Sequence, residues 1–140
     1  MSNLAKLRQD HAELVTIVRQ LSTCVARPSP PPQLELFNLR RQLSSTLIAH
    51  LKSEDWVLYP RLAESGDDKV ATTAKAFSEE MGGLAAAFAA YNETWTATAI
   101  ASDWSGYCAD TREVVETLTN RITRENRELY PLLEALDKAA

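Results

Sequence analysis

Apolar residues recur at three- and four-residue intervals along almost the whole chain, a spacing that lines one face of a helix and predicts no strand. The first stripe, Leu4, Leu7, His11, Leu14, Val18, Leu21 and Val25, predicts a helix over 3–26, with Ser2 or Asn3 as its cap and Arg27-Pro-Ser-Pro-Pro-Pro32 as its end. The second stripe, Leu36, Arg40, Leu43, Leu47, His50, Glu54, Val57 and Arg61, predicts a helix over 34–64, loosened by Pro60 and closed by Ser65-Gly66-Asp67-Asp68. Val70, Ala74, Phe77, Met81, Leu84, Phe88, Tyr91, Trp95 and Thr98 form the third, in which Gly82-Gly83 lowers helix propensity and would admit a close neighbour. Thr111, Val114, Leu118, Arg121, Glu125, Leu129, Leu132 and Leu136 form the fourth.

Four amphipathic helices joined by short connections predict an all-α fold, an up-down-up-down antiparallel four-helix bundle built as one domain over 1–140. In such a bundle the odd polar residues share a level. His11 and His50 each fall about 22 to 24 Å of helix from the same end. Met81 and Arg121 fall at matching offsets on the third and fourth helices. One layer of an otherwise apolar core then collects His11, His50, Glu54, Met81, Arg121 and Glu125.

Composition narrows the function classes. A formal charge of −4 with both signs scattered gives no basic stripe for nucleic acid. The amino terminus has no hydrophobic signal core and no window has the length of a membrane span, so the expectation is a cytoplasmic protein without membrane association. Cys24 and Cys108 match neither a C-x-x-C nor a zinc spacing; they read as small buried residues in a reducing compartment, or as a redox pair if the fold brings them within about 7 Å. Trp56, Trp95 and Trp104 read as core or helix-interface residues, or as marks of a partner surface. No P-loop, dinucleotide signature or catalytic nucleophile is present, and no catalytic residue is assigned.

The chemistry lies in a repeat. His50-Leu-Lys-Ser-Glu54-Asp-Trp-Val-Leu-Tyr59-Pro60 returns 71 residues later as Arg121-Ile-Thr-Arg-Glu125-Asn-Arg-Glu-Leu-Tyr130-Pro131, with arginine in place of the histidine. A histidine and a glutamate four apart project from one helix face about a turn apart, as a pair of metal ligands does. Two imidazoles and two carboxylates suit iron, manganese or zinc, and buried charges need a partner or a metal. Tyr59 and Tyr130 follow their glutamates by five residues, which on an α-helix turns them away from the carboxylates to a helix flank.

The pattern Asp10-His11, His50-x-x-x-Glu54 with Leu58-Tyr59-Pro60, Glu80-Met81-x-x-Leu84, and Arg121-x-x-x-Glu125 with Leu129-Tyr130-Pro131 resembles the hemerythrin-like HHE cation-binding domain over nearly the whole chain. The resemblance implies an up-and-down four-helix bundle with a non-haem di-iron centre that binds oxygen, senses redox state or nitric oxide, or stores iron. It assigns His11 and His50 as terminal ligands of one metal and Glu54 and Glu125 as bridging carboxylates. It also shows Met81 and Arg121 standing where the family supplies two further histidines. The second metal has therefore lost its imidazoles.

A guanidinium at the vacated position would pair with carboxylates and repel a cation. Three states of the layer follow: metal-free with an Arg121–carboxylate network, one metal, iron as a candidate, on His11, His50 and a carboxylate, or two metals through another ligand. The expected function is a binding, sensory or scaffold bundle with a degenerate site, monomeric or homodimeric, with an unidentified protein partner. The alternatives are a working non-haem iron protein for oxygen, nitric oxide or redox sensing or iron handling, and a metal-independent interaction bundle.

Overall fold

A computed structural model of the protein describes residues 4–139, and among these there is no strand. The first stripe forms α1 (Leu4–Val25); its expected Ser2 or Asn3 cap lies outside the described residues. The second forms α2 (Gln33–Leu51), a π-helical segment (Lys52–Leu58) and α3 (Tyr59–Ala63). The third is broken into α4 (Asp68–Met81), α5 (Leu84–Thr94) and α6 (Ala97–Ser102). The fourth forms α7 (Trp104–Arg124), a second π-helical segment (Glu125–Leu129) and α8 (Tyr130–Ala139). α1 packs against α2 and α7, α3 against α4, and α5 and α6 against α7.

Local chemistry accounts for the breaks. Asp67, Thr96 and Asp103 cap α4, α6 and α7 by accepting from the amides of Val70 (3.1 Å), Ala99 (3.1 Å) and Gly106 (2.9 Å). Gly82-Gly83 ends α4 rather than admitting a neighbouring helix: a Cβ at Gly82 would run into the carbonyl of Ser78 on its own helix, and one at Gly83 would meet nothing within 4 Å. The exposed carbonyls that close α1 are taken up by α7: Arg112 Nη2 donates to Val25 O (2.8 Å) and Trp104 Nε1 to Arg27 O (3.0 Å).

The two π-helical segments correct the expected registers. Pro60 and Pro131 lack an amide hydrogen, and each ring crowds the carbonyl four residues earlier. The chain widens ahead of each proline, and the amides of Tyr59 and Tyr130 bond to the carbonyls of Glu54 and Glu125, five residues back. The inward face then advances by one position. Val57 is 61% exposed rather than inward, and Tyr59 and Leu62 are buried in its stead; likewise Leu133 is buried where Leu132 was expected. Trp56 is also on the surface, 73% exposed under Lys52, whereas Trp95 is buried and Trp104 half-buried.

The core divides in two. One apolar cluster contains Leu14, Leu47, Leu51, Leu84, Phe88, Leu118 and Ile122; the other contains Leu7, Tyr59, Leu62, Phe77, Met81, Leu129, Tyr130 and Leu133. His11, Glu54 and Glu125 fall in sequence between members of the two clusters, His50 and Arg121 fall among the last members of the first before the chain passes to the second, and all five are buried. Cys24 and Cys108 are both buried free thiols, and burial pushes both above the ordinary thiol range, which disfavours the reactive thiolate.

Leu14→Ala should cost about 2 to 5 kcal/mol, because Leu14 is fully enclosed. Trp56→Ala, by contrast, should change stability by less than about 0.5 kcal/mol. Urea unfolding of the two variants checks the pair; a large loss at Trp56 would contradict its surface position.

Candidate metal centre

The predicted layer forms. His11 comes from α1, His50 from the end of α2, Glu54 from the first π-helical segment, Arg121 from the end of α7 and Glu125 from the start of the second π-helical segment. One ligand atom from each of His11, His50, Glu54 and Glu125 lies within 4.8 Å of the others. The two imidazole centroids are also 4.8 Å apart.

Each imidazole is oriented from behind. His50 Nδ1 lies 3.0 Å from Asp10 Oδ2, and Lys6 holds the other oxygen of Asp10 at 2.7 Å. His11 Nδ1 lies 2.7 Å from Asn126 Oδ1. His11 Nε2 is 3.0 Å from Glu125 Oε1 and 3.1 Å from the Tyr130 hydroxyl. His50 Nε2 is buried 2.9 Å from Glu54 Oε1, an ion-pair contact across one turn of the same helical stretch. His50 thus faces a carboxylate oxygen from each ring nitrogen; burial opposes its charge, but Glu54 and Asp10 together raise its proton affinity.

Arg121 fills the other half of the layer. It is 1% exposed and donates on four sides: Nε to Glu125 Oε2 (3.2 Å), Nη2 to Glu54 Oε1 (3.2 Å) and Asp55 Oδ1 (2.8 Å), and Nη1 to the carbonyl of Met81 (3.1 Å). Met81 thus contributes its backbone oxygen, in the turn that the glycine pair ends, while its side chain packs in the second apolar cluster. The guanidinium carbon stands 5.3 Å from the Tyr59 ring. Burial opposes its charge, but Glu125, Tyr59, Asp55 and Glu54 together raise its proton affinity further, so it stays cationic.

Tyr59 and Tyr130 do not turn away from the carboxylates. Tyr59 donates to Glu125 Oε2 and Tyr130 to Glu54 Oε2 (2.7 Å), each reaching across to the opposite copy of the repeat. The i→i+5 geometry ahead of each proline brings them to the inner face. Burial and the Glu125 and Glu54 charges push both phenols well above their usual range, so they remain proton donors.

The carboxylates are not equivalent. Burial would raise Glu54, but the hydrogen bond and charge of His50, with Glu125 and Arg121, bring it down to about 2. Glu125 moves the other way: burial and the charge of Glu54 raise it above the ordinary carboxylate range, against the His11 hydrogen bond and Arg121. Among the charged groups of the layer, Glu54 holds its charge and Glu125 takes a proton more readily.

Sequence reasoning located the four candidate ligands and Arg121 but not the residues around them. Asp55 and Asn126 each follow a glutamate of the repeat and carried no signal of their own. Asp10 stood in the motif without a role. The tyrosines carried a signal, the Tyr-Pro pair in both copies, which required the π-helical spacing to interpret.

Two substitutions separate the carboxylates. In the metal-free protein at neutral pH, Glu54→Gln removes a charge that Arg121 and His50 both face and should cost about 3 to 5 kcal/mol. Glu125→Gln should cost less, since burial and the charge of Glu54 already disfavour its ionised form. The folded-state value of Glu54 lies below its unfolded value of 4.5, so its contribution is complete above about 4.5 and is lost on acidification towards 2. Chemical denaturation of both variants across this range checks the order, and a larger loss for Glu125→Gln would reverse the assignment.

No curated protein and no solved structure matches the chain significantly. The family model described as the hemerythrin HHE cation-binding domain matches residues 2–133. With the all-α fold and the buried His–Glu cluster already in place, this match over nearly the entire length shows that the chain belongs to the hemerythrin HHE cation-binding domain family.

Proposed function

We propose that the protein holds one transition-metal ion on His11, His50, Glu54 and Glu125, with the Arg121 guanidinium in place of a second, and acts as a binding or sensory protein rather than a di-metal oxygen carrier. The observation that carries this reading is the convergence of one ligand atom from each of four buried side chains within 4.8 Å of one another, with His50 Nδ1 fixed by Asp10. A carboxylate–histidine pair of this kind orients a ligand nitrogen and raises its basicity.

Charge supports one ion over two. Glu54, Asp55 and Glu125 carry at most three negative charges and Arg121 returns one positive charge among them. A single dication brings the set, imidazoles aside, to neutrality, while a second would add two positive charges beside a fixed cation in a buried site. Iron bound to two imidazoles and two carboxylates would supply a one-electron couple and open positions for a small ligand. The chain's own part is positional: Asp10 and Asn126 orient the imidazoles, Tyr59 and Tyr130 keep a proton on each side of the carboxylate pair, and Arg121 prevents the carboxylates from spreading around two ions.

A second reading, the metal-free scaffold, is favoured by one observation. Every oxygen of Glu54 and Glu125 has a nitrogen or hydroxyl partner within the protein. The two readings differ in metal content. Protein produced with iron supplementation, and apo protein titrated anaerobically with Fe(II), Mn(II) or Zn(II), should take up one ion per chain. His50→Ala should abolish uptake, Asp10→Asn should weaken it about 10- to 100-fold, and Arg121→His should increase capacity. No uptake by any of these proteins would leave the scaffold reading, and two ions in the unaltered chain would overturn both.

A further inference from the structure

Away from the metal layer, a groove of about 460 Å³ opens between the start of α2 and α6. Its walls include Pro30, Pro31, Leu34, Phe37 and Ile100, and Arg40 is the one charged residue among those that line it. Leu34, Phe37 and Arg40 follow at three-residue intervals and so lie side by side on one face of α2. Leu34 is 69% and Phe37 58% exposed, the largest such pair of neighbouring apolar side chains on this helix. The volume falls within the range of small-molecule sites, which pair apolar walls with a few polar groups.

Arg40 is incompletely satisfied. Its Nη2 donates to the carbonyl of Trp95 (2.6 Å) and its guanidinium carbon stands 5.7 Å from the Tyr107 ring, but its Nε is buried without a partner. Among the described residues no carboxylate pairs with it. Glu35, on the same helix, faces Arg27 at 3.4 Å, and Asp110 accepts from Trp95 Nε1 at 2.6 Å. A neutral carbonyl and a ring face leave a half-buried positive charge against hydrocarbon, and a guanidinium fork suits a carboxylate in both shape and charge.

We propose that this groove binds an amphiphilic monocarboxylate, its carboxylate on Arg40 and its hydrocarbon tail along Leu34, Phe37 and Ile100. One cation in the lining matches a monoanion and not a polyanion such as a nucleotide. Ala97 and Ala101 give the α6 wall small side chains that leave the groove open to a hydrocarbon chain. The site is independent of the metal layer. Arg40 precedes His50 by ten residues, about 15 Å of helix.

Titration calorimetry of the full chain with octanoate and with 1-octanol tests the proposal. Octanoate should bind once per chain and at least tenfold more tightly than octanol. Arg40→Gln should remove that tenfold preference while leaving octanol binding in place. Ala101→Trp, which adds a large side chain to the groove wall from an exposed position on α6, should abolish binding of both with an unchanged circular dichroism spectrum; it decides the matter if Arg40→Gln fails to fold. Absence of saturable octanoate binding, equal affinities for the two probes, or octanoate binding retained in Ala101→Trp overturns the proposal. So does sedimentation as a dimer that Leu34→Ser with Phe37→Ser dissociates and octanoate does not, since the groove would then be covered by a second copy.

Discussion

The buried charge of Arg121 governs the rest of the interior. A guanidinium enclosed by protein must be neutralised where it stands, and its donors are distributed over Glu54, Asp55, Glu125 and the carbonyl of Met81. These contacts draw on both π-helical segments and on the end of α4, so one side chain fixes the relative position of three parts of the chain. A well-packed apolar group of similar volume would give comparable stability, as buried ion pairs commonly break even. What the arginine adds is a charge that no change in redox state or metal supply can remove.

The π-helical segments are the means by which two carboxylates and two phenols meet in so small a space. On a regular α-helix a residue five positions on points well away, and Tyr59 and Tyr130 would miss the layer. The extra residue in each segment turns them inward, where each serves the glutamate of the other copy. The repeat is thus symmetrical in its geometry even where it is unequal in chemistry: the position that holds an imidazole in one copy holds a guanidinium in the other.

Much of the fold and the ligand set could be read from spacing. The three-four stripes gave the helical stretches, and the interruption of the stripes by His11, His50, Glu54, Arg121 and Glu125 located the layer, because charge in an apolar stripe stands out against its neighbours. The breaks at Gly82-Gly83 and at Trp95-Thr96 were less visible, since apolar spacing continues across them. The register beyond Glu54 and Glu125 was misread for a definite reason: periodicity assumes a constant number of residues per turn, and Pro60 and Pro131 change that number locally. Asp55, Asn126 and Asp10 remained unassigned because a polar residue next to an inward one looks the same in sequence whether it faces water or the back of an imidazole.

The polar layer also divides the apolar core, with Leu14, Leu47 and Leu118 on one side and Leu7, Phe77 and Leu129 on the other. Apolar contact is what ordinarily makes a small domain unfold as one unit. Here the two halves are joined through the layer by directional hydrogen bonds and by the continuity of the helices, so their opening free energies need not coincide. Amide exchange should then resolve two protection levels in the chain, one for each half. Anything that tightens the layer brings those levels together, which makes the cooperativity of unfolding, rather than its midpoint alone, a measure of how the centre is filled.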